Sequence, residues 1–528
     1  MTFSPRLTAG RLVLLAAALL GGCAVLPLPV PRAATYAFTD VEKTTLGRFA
    51  VQGAPVEEAG TPPMSGFRLM PDAAFAFDAR ISLARTAERS LDVQYYLIQN
   101  DDVGLLLLKE LRDAAERGVR VRLLVDDLYT GGEDELFASF SAFPNVEVRL
   151  FNPLPSRLSS LPARIALSLL DFGRINHRMH NKLLVADNSF AVSGGRNIAN
   201  EYFMRSTQAN FIDMDVLSNG AIVHDMSKAF DMYWNSSHVR PIENLAPLTV
   251  SREAAQKRFD AIARTALPDV PLRPRDSLNK SPLGEELITG KIDRYWATAK
   301  LYADSPDKIS RKPEEALRGS VTEGALGVID TAKVRAIIAS PYFIPGPIGI
   351  AMMKKQVQDK VRVVVVTNSL GSTDEPLAYA GYERYRADML KAGVVIYEIA
   401  PEYSAKNKRF GDFGKSISRL HAKLAMIDDQ RIFVGSMNLD HRSAAVNTEL
   451  GLVINSPPMV AEYTKLVTGT RVEDLGYRLR LTPDGRRAQW LEYNDDGGDI
   501  VHQDVPGEFL WLRFKNWLLL PIVGEDLL

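Results

Sequence analysis

An eight-residue pattern occurs twice in this chain of 528 residues. His180-Asn181-Lys182 is followed by Asp187, and His421-Ala422-Lys423 by Asp428, so both fit H-x-K-x-x-x-x-D. Six residues separate each aspartate from a second short motif, Gly194-Gly195-Arg196-Asn197 in one copy and Gly435-Ser436-Met437-Asn438 in the other. Composition alone predicts roughly 0.02 such patterns in a chain of this length. Two copies with the same extension mean an internal duplication, and a duplication means that the fold of one half recurs in the other.

The flanking periodicities say which fold. Ala73 to Ala87 carries apolar residues at helical spacing, Ser90 to Tyr96 alternates as a strand, and Gly104 to Arg117 is an amphipathic helix stopped by Gly118. The β-branched run Val119 to Val125 and the run Val146 to Phe151 read as strands. The second half repeats the order, with strands Val334 to Ala339, Val361 to Thr367 and Val394 to Glu398, and helices Ile348 to Val357 and Tyr382 to Lys391. The motif follows each time. This is βαβ patterning, so the expected fold class is α/β, with two similar lobes each built on a mixed or parallel sheet flanked by helices.

The expected boundaries are a leader over 1–22, a tether over 23–62, a first lobe over 63–245, a linker or insertion over 246–330, a second lobe over 331–470, and a C-terminal segment over 471–528. Within the linker, Arg252 to Ala266 has helical spacing and no catalytic motif is visible. The C-terminal segment holds a hairpin, Tyr477 to Leu481 and Ala488 to Tyr493 around Pro483-Asp484-Gly485, and then an apolar tail from Phe509 to Leu520. That tail and the stretch Leu158 to Phe172 fit either core burial or a membrane interface.

The residues of the motif suit displacement at a phosphodiester, which needs a nucleophile, a proton for the leaving oxygen, and donors or positive charge for the phosphoryl oxygens. Imidazole titrates near neutrality and can serve in either of the first two roles. Lys182 and Lys423 stand two residues beyond His180 and His421, on the same face if the segment is a strand. Asn197 and Asn438 can donate amide hydrogen bonds to the same oxygens. Asp187 and Asp428 close the motif, and either take part with the histidines or bind backbone amides in the turn. No metal-ligand cluster is evident and no cofactor is expected. His177 could touch a headgroup; His224, His238, His441 and His502 read as loop, surface or packing residues.

The paired motifs resemble the HKD motifs of the phospholipase D superfamily. The likeness extends from about residue 70 to the C-terminus, through Leu91-Asp92-Val93-Gln94-Tyr95-Tyr96, the stretch Arg174 to Lys182, and Gly381-Tyr382-Glu383-Arg384-Tyr385-Arg386, and it is similar to bacterial cardiolipin synthases of the C type. The resemblance implies one active site at the pseudo-twofold interface of the lobes. It implies His180 as the nucleophile that becomes a phosphohistidine and His421 as the general acid. It also implies an acidic residue that orients each imidazole: Glu449 fits one place, and Asp213, with Asp215 as the alternative, fits the other. The reaction implied is transfer of a phosphatidyl group from phosphatidylethanolamine or phosphatidylglycerol to phosphatidylglycerol, giving cardiolipin; hydrolysis of phospholipid headgroups, or a phosphodiesterase or nuclease, would use the same residues.

Charge and the N-terminus bear on partners. The formal net charge of −1 offers no global field for nucleic acid, so phospholipid substrates and a membrane surface are the expected partners. Arg6 and Arg11 precede the apolar run Leu12 to Leu20, too short to span a bilayer, and Leu20-Gly21-Gly22-Cys23 resembles the lipobox of bacterial lipoproteins. Cys23 is the only cysteine. The resemblance implies cleavage before Cys23 and its acylation, and Ala24 after it resembles the outer-membrane sorting signal, so the expected place is a lipid-anchored one in the cell envelope.

Overall fold

The computed structural model describes residues 26–28, 30–56, 60–168, 171–268, 271–402, 414–468, 476–494 and 498–507. Cys23, the leader and the tail from Phe509 to Leu520 lie outside the described residues.

The first lobe begins with β1 (Ser65–Met70) and continues with three mutually parallel strands, β2 (Ser90–Tyr95), β3 (Arg120–Asp126) and β4 (Val146–Phe151). β5 (Lys182–Ala186) and β6 (Phe190–Gly194) follow, then β7 (Ala209–Ile212) outside the main sheet, β8 (Asp215–Gly220), and the short β9 (Val239–Pro241). Across the sheet the order is β9-β4-β3-β2-β5-β6-β8-β1. One face of β2, β3 and β4, carrying Leu91, Val93, Val121, Leu123 and Val148, is apolar and buried in the core of the lobe. Helix Asp102–Glu116 fills its first orphan amides through Asp101, whose side chain accepts from Gly104 N.

The second lobe repeats this with β10 (Tyr295–Ala303), β11 (Arg335–Ala339), β12 (Arg362–Asn368), β13 (Val395–Ile399), β14 (Ile417–Leu420) outside the main sheet, β15 (Lys423–Ile427), β16 (Arg431–Gly435) and β17 (Leu450–Asn455). The hairpin β18 (Gly476–Leu481) and β19 (Ala488–Glu492) forms as expected, and β20 (Ile500–His502) extends it. The order is β10-β17-β16-β15-β11-β12-β13-β18-β19-β20. Expected helices and strands form within a few residues of their predicted limits; helix Pro376–Ala392 starts a turn and a half earlier than its periodicity suggested and stops at Gly393, whose φ of 92° suits a residue without Cβ.

Two expected boundaries change. The segment 246–330 is more than a linker, because it supplies β10. Tyr295, Trp296 and Ala297 of β10 pair with β1, and Thr298 to Ala303 pair with β17, so this strand joins both sheets into one 18-stranded ladder. β10 is to β17 what β1 is to β8, which makes it the first strand of the second lobe. The segment 23–62 is not a free tether throughout its length. Thr35 O accepts from Arg122 Nη1 at 2.9 Å, Trp234 Nε1 donates to Thr35 Oγ1 at 2.9 Å, and Leu46 on helix Thr45–Val51 is fully buried. Neither feature has the long periodic run that announces an element in sequence.

The stretch from Leu158 includes a short helix, Leu161–Leu167, on the surface. Arg164 pins it by an ion pair to Asp127 at 2.7 Å, while Leu158 and Phe172 stay exposed.

Candidate active site

Each histidine of the motif lies just before its strand, and a matching device holds the residue preceding it. Asp126, the last residue of β3, accepts from Met179 N at 2.8 Å. Asn368, the last residue of β12, accepts from Leu420 N at 2.8 Å. The segment entering each histidine then pairs with the other lobe. β14 runs parallel to β7, with Leu420 opposite Ile212, so the next residue on each side, His421 and Asp213, become neighbours. Met179 bridges to Thr448 in the same parallel sense, and His180 and Glu449 become neighbours.

The result is a crossed pair of imidazole–carboxylate contacts. His180 of the first lobe donates Nδ1–H to Glu449 of the second, at 3.0 Å to Oε2 and 3.1 Å to Oε1. His421 of the second lobe donates Nδ1–H to Asp213 Oδ2 of the first, at 2.7 Å. Asp213 therefore fills the place that the sequence left between it and Asp215. Asp215 instead binds Arg80 at 2.9 Å and Arg196 at 3.2 Å, all three fully buried. Both imidazoles keep Nε2 for a cavity of about 780 Å³, lined among others by Tyr96, Asn197, Tyr202, Asn438 and Arg442.

The two carboxylates are held differently, and this explains why one motif reads Gly-Gly and the other Gly-Ser. Ser436 Oγ donates to Glu449, as does Ser443 Oγ at 2.9 Å. At Gly195 a Cβ would lie 2.0 Å from Asp213 Oδ1. The shorter aspartate reaches His421 by crossing the space a serine side chain would occupy. Behind Glu449 its backbone N–H donates to Asp304, which Lys308 neutralises at 2.7 Å. Both residues belong to the supposed linker and carry no sequence motif.

Lys182 and Lys423 are buried, and each donates to the carbonyl of its own histidine, at 2.7 and 2.6 Å. Their charges tune the imidazoles. Burial, then the ammonium groups of Lys182 and Lys423, push the His180 imidazole well below its ordinary range. Burial and Lys423 also lower His421, but Asp213 opposes them. Burial brings Lys423 down to about 8 against the pull of Asp213, and lowers Lys182 well below the usual lysine value. Burial pushes the Glu449 carboxyl up to about 7 despite Lys182. Burial would raise Asp213 as well, yet the charge of His421, its hydrogen bond and Lys423 outweigh it and hold that carboxyl at about 2. Of the two imidazoles His421 is therefore the less opposed to protonation, because Asp213 offsets part of its lowering, and His180 is the more firmly neutral.

Asn197 and Asn438 line the cavity, and each has a buried Oδ1 without a partner. Asn197 Nδ2 meets Tyr202 Oη at 2.8 Å. With the amide turned over, Tyr202 donates to Oδ1 and Nδ2 faces the cavity as a donor.

The motif aspartates are placed elsewhere. Asp187 and Asp428 stand at the far end of β5 and β15 from the histidines, with φ of 49° and 53°. Asp187 accepts from the backbone N–H of Glu88, Arg89 and Ser90 at 2.7 to 2.9 Å, and Asp428 from those of Lys333, Val334 and Arg335 at 2.7 to 3.0 Å. Their carboxylates are committed to the amides that open β2 and β11, so the catalytic reading gives way to the turn-binding one. His177 is half-buried with Nδ1 on Val446 O, and His238 and His502 pair with Asp307 and Glu492.

Sequence reasoning missed the aromatic walls. Tyr96 packs edge-on against His180, and Tyr202 and Phe211 flank His421, with ring centroids 4.9 to 5.1 Å apart. The ends of β2 and β11 gave a usable signal: Tyr96, one residue past β2, and Tyr342, three residues past β11, both line the cavity.

Comparison with known proteins agrees with this geometry. The family described as "Cardiolipin synthase, PLD-like domain" matches residues 81–234 and 326–469. Cardiolipin synthase C of Escherichia coli K12 is 35% identical over 451 residues, covering 85% of this chain and 93% of that protein. A cardiolipin synthase of Staphylococcus aureus is 25% identical over 423 residues, covering 79% and 69%. In three dimensions the chain is similar to phosphatidylserine synthase of Haemophilus influenzae Rd KW20, with a TM-score of 0.53, 14% identity, and coverage of 87% and 94%, a likeness of fold.

Proposed function

Because the chain belongs to the phospholipase-D-like cardiolipin synthase family and is a phosphatidyltransferase, we propose that it makes cardiolipin, moving a phosphatidyl group onto phosphatidylglycerol through a phosphohistidine at His180. The observation that carries this reading is the crossed imidazole pair, two Nε2 atoms facing one cavity and each backed by a carboxylate of the opposite lobe.

In this scheme His180 Nε2 attacks the phosphorus of the donor phospholipid, and its Nδ1–H stays on Glu449. The bond to the headgroup oxygen breaks as His421 Nε2 gives that oxygen its proton, and the headgroup alcohol leaves. His421, now neutral, takes the proton from a glycerol hydroxyl of phosphatidylglycerol, whose oxygen attacks the phosphohistidine. The phosphorus–nitrogen bond breaks, cardiolipin forms, and both imidazoles return to their starting states. Lys182 and Lys423 supply the positive field, and Asn197 and Asn438 donate to the phosphoryl oxygens. The donor is phosphatidylethanolamine or a second phosphatidylglycerol, and the enzyme works at a membrane surface, anchored through Cys23 in the outer membrane of the envelope.

Lipid mass spectrometry after incubation with defined phospholipid mixtures tests the reading. Cardiolipin, with ethanolamine or glycerol released in equal amount, is the expected product. Phosphatidic acid alone, at every acceptor concentration, makes the protein a hydrolase.

A further inference from the structure

The two lobes differ on one face of their sheets, and the difference leaves a second apolar cavity. In the first lobe this face of β2, β3 and β4 is polar and plugged. Arg122 is ion-paired to Asp92 at 2.6 Å, the Arg149 guanidinium lies 3.9 Å from the Trp234 ring, and the segment around Thr35 closes over them. The strand registers match between lobes: Ser90 opposes Arg120 as Arg335 opposes Arg362, and Leu124 opposes Arg149 as Val366 opposes Tyr397. Asp92, Arg122 and Arg149 therefore correspond to Ile337, Val364 and Tyr397. The ion-paired plug of one lobe is an apolar wall in the other.

That wall lines a cavity of about 210 Å³, roofed by Tyr463 and Val467 of helix Pro457–Thr468. A cavity of about 150 Å³ lined by aliphatic side chains stays dry and takes up an apolar guest. Asp213 also reaches this cavity, but its two oxygens are already engaged, by His421 and by Met214 N. The space runs along the strands, from Arg335 and Arg362 at the start of β11 and β12 to Ala339 and Val366 at their ends, roughly 13 Å at 3.3 Å per residue. Leu420 and Ala422 close its inner side, so it lies directly behind His421, across one strand from the catalytic cavity. The lining residues that reach solvent are Arg335, Ile337, Arg362, Val366 and Val467.

We propose that this slot binds one acyl chain of an anionic phospholipid, held at a site separate from the catalytic cavity, with the exposed Arg362 at its mouth meeting the phosphate while Arg335 stays ion-paired to Asp429. The long narrow apolar shape fits a single hydrocarbon chain, and the Arg362 guanidinium beside an aliphatic opening complements a phosphodiester above it. The bound chain packs against the strand that carries His421 and against Asp213, so its occupancy steadies the acid–base pair from behind. This site stands whether or not cardiolipin is the product.

Phosphatidylglycerol carrying a diazirine in its acyl chain, presented in phosphatidylcholine vesicles to the full chain, tests the proposal by photolabelling and peptide mapping. Labelling needs no turnover, so an inactive preparation does not imitate failure. Adducts are expected on peptides containing Val364 to Val366 and Tyr397 to Ile399, beside those in the catalytic cavity. Val364→Trp fills the slot and should cut the first set about tenfold while sparing the second; Val366→Trp, at a half-exposed position, does the same with less demand on the core. Arg362→Glu should weaken slot labelling and Arg362→Lys preserve it. Adducts confined to the catalytic cavity, or unchanged in both tryptophan variants, overturn the proposal. So does a cross-link from benzoylphenylalanine at Val366 to residues 509–520, which would make the chain's own C-terminus the occupant.

Discussion

Asp213→Asn is the most informative single substitution at the site. The Asp213 carboxyl is held at about 2, below its ordinary 3.8, although burial alone would raise it, so the attraction of His421 and the nearby cations outweighs the loss of solvation. The shift of nearly two units corresponds to on the order of 2 kcal/mol of preference for the charged pair. Removing the charge should therefore lower the His421 imidazole further, on top of the lowering that burial and Lys423 already impose. The amide adds a second difficulty. Asp213 Oδ1 accepts from Met214 N and Oδ2 from His421, and an asparagine has one acceptor for these two donors. Wherever its NH₂ faces Nδ1, the proton is forced onto Nε2 and the imidazolium form is opposed. Together these effects should lower kcat by about 10² to 10⁴, the range that loss of an imidazole-orienting aspartate produces elsewhere. The sign of the pH effect follows from the same pair. An acid with a lower pKa gives up its proton at lower pH, so the alkaline limb of kcat/KM should move to lower pH. Glu449→Gln should cost less, because the Glu449 carboxyl sits at about 7 and is already partly protonated near neutrality. The assay is cardiolipin formation from mixed micelles at a series of pH values. A loss of rate with an unmoved pH profile would make Asp213 a packing residue, and a larger loss in Glu449→Gln would exchange the roles of the two histidines.

Further outcomes follow from the same geometry. His180→Ala and His421→Ala should each abolish transfer, but only the former should remove a phosphoenzyme trapped by acid quenching of labelled donor; label surviving in His180→Ala reverses the assignment. Asp187→Ala leaves three strand-opening amides without their acceptor, so it should cost about 2 to 4 kcal/mol of stability by denaturant titration while the folded protein keeps its kcat. A specific loss of kcat with unchanged stability would return Asp187 to the catalytic group. Cys23→Ser should abolish metabolic labelling with palmitate, and a soluble variant should begin before Arg32, because one that starts near Thr61 loses the Thr35 contacts to Arg122 and Trp234.

The duplication, the α/β order and most central elements were legible because they rest on period and spacing. Val146 to Phe151 was placed to the residue, and the chain of motif to histidine to carboxylate picked out His180, His421, Glu449 and Asp213. What escaped has a physical pattern. β10 alternates weakly, because its first third pairs with one sheet and the rest with the other, and its exposure is intermediate along most of its length. Asp304 and Lys308 act through one backbone amide of Glu449, a contact with no local spacing to reveal it. Asp187 and Asp428 stayed open between two roles because their recurrence follows the strand-opening turn, which is duplicated as faithfully as the chemistry.

The shared strand also governs how a lipid can get in. A clamshell that parted between the lobes would have to strip β10 from β1 or from β17, a six-residue ladder on the latter side, and would unzip β7 from β14 as well. It would also pull each imidazole off the carboxylate that orients it, since both pairs straddle the parting line. Admitting a substrate by parting the lobes would therefore cost these ladders and both orienting contacts at once, so opening of the site is tied to the same strands that hold the two histidines.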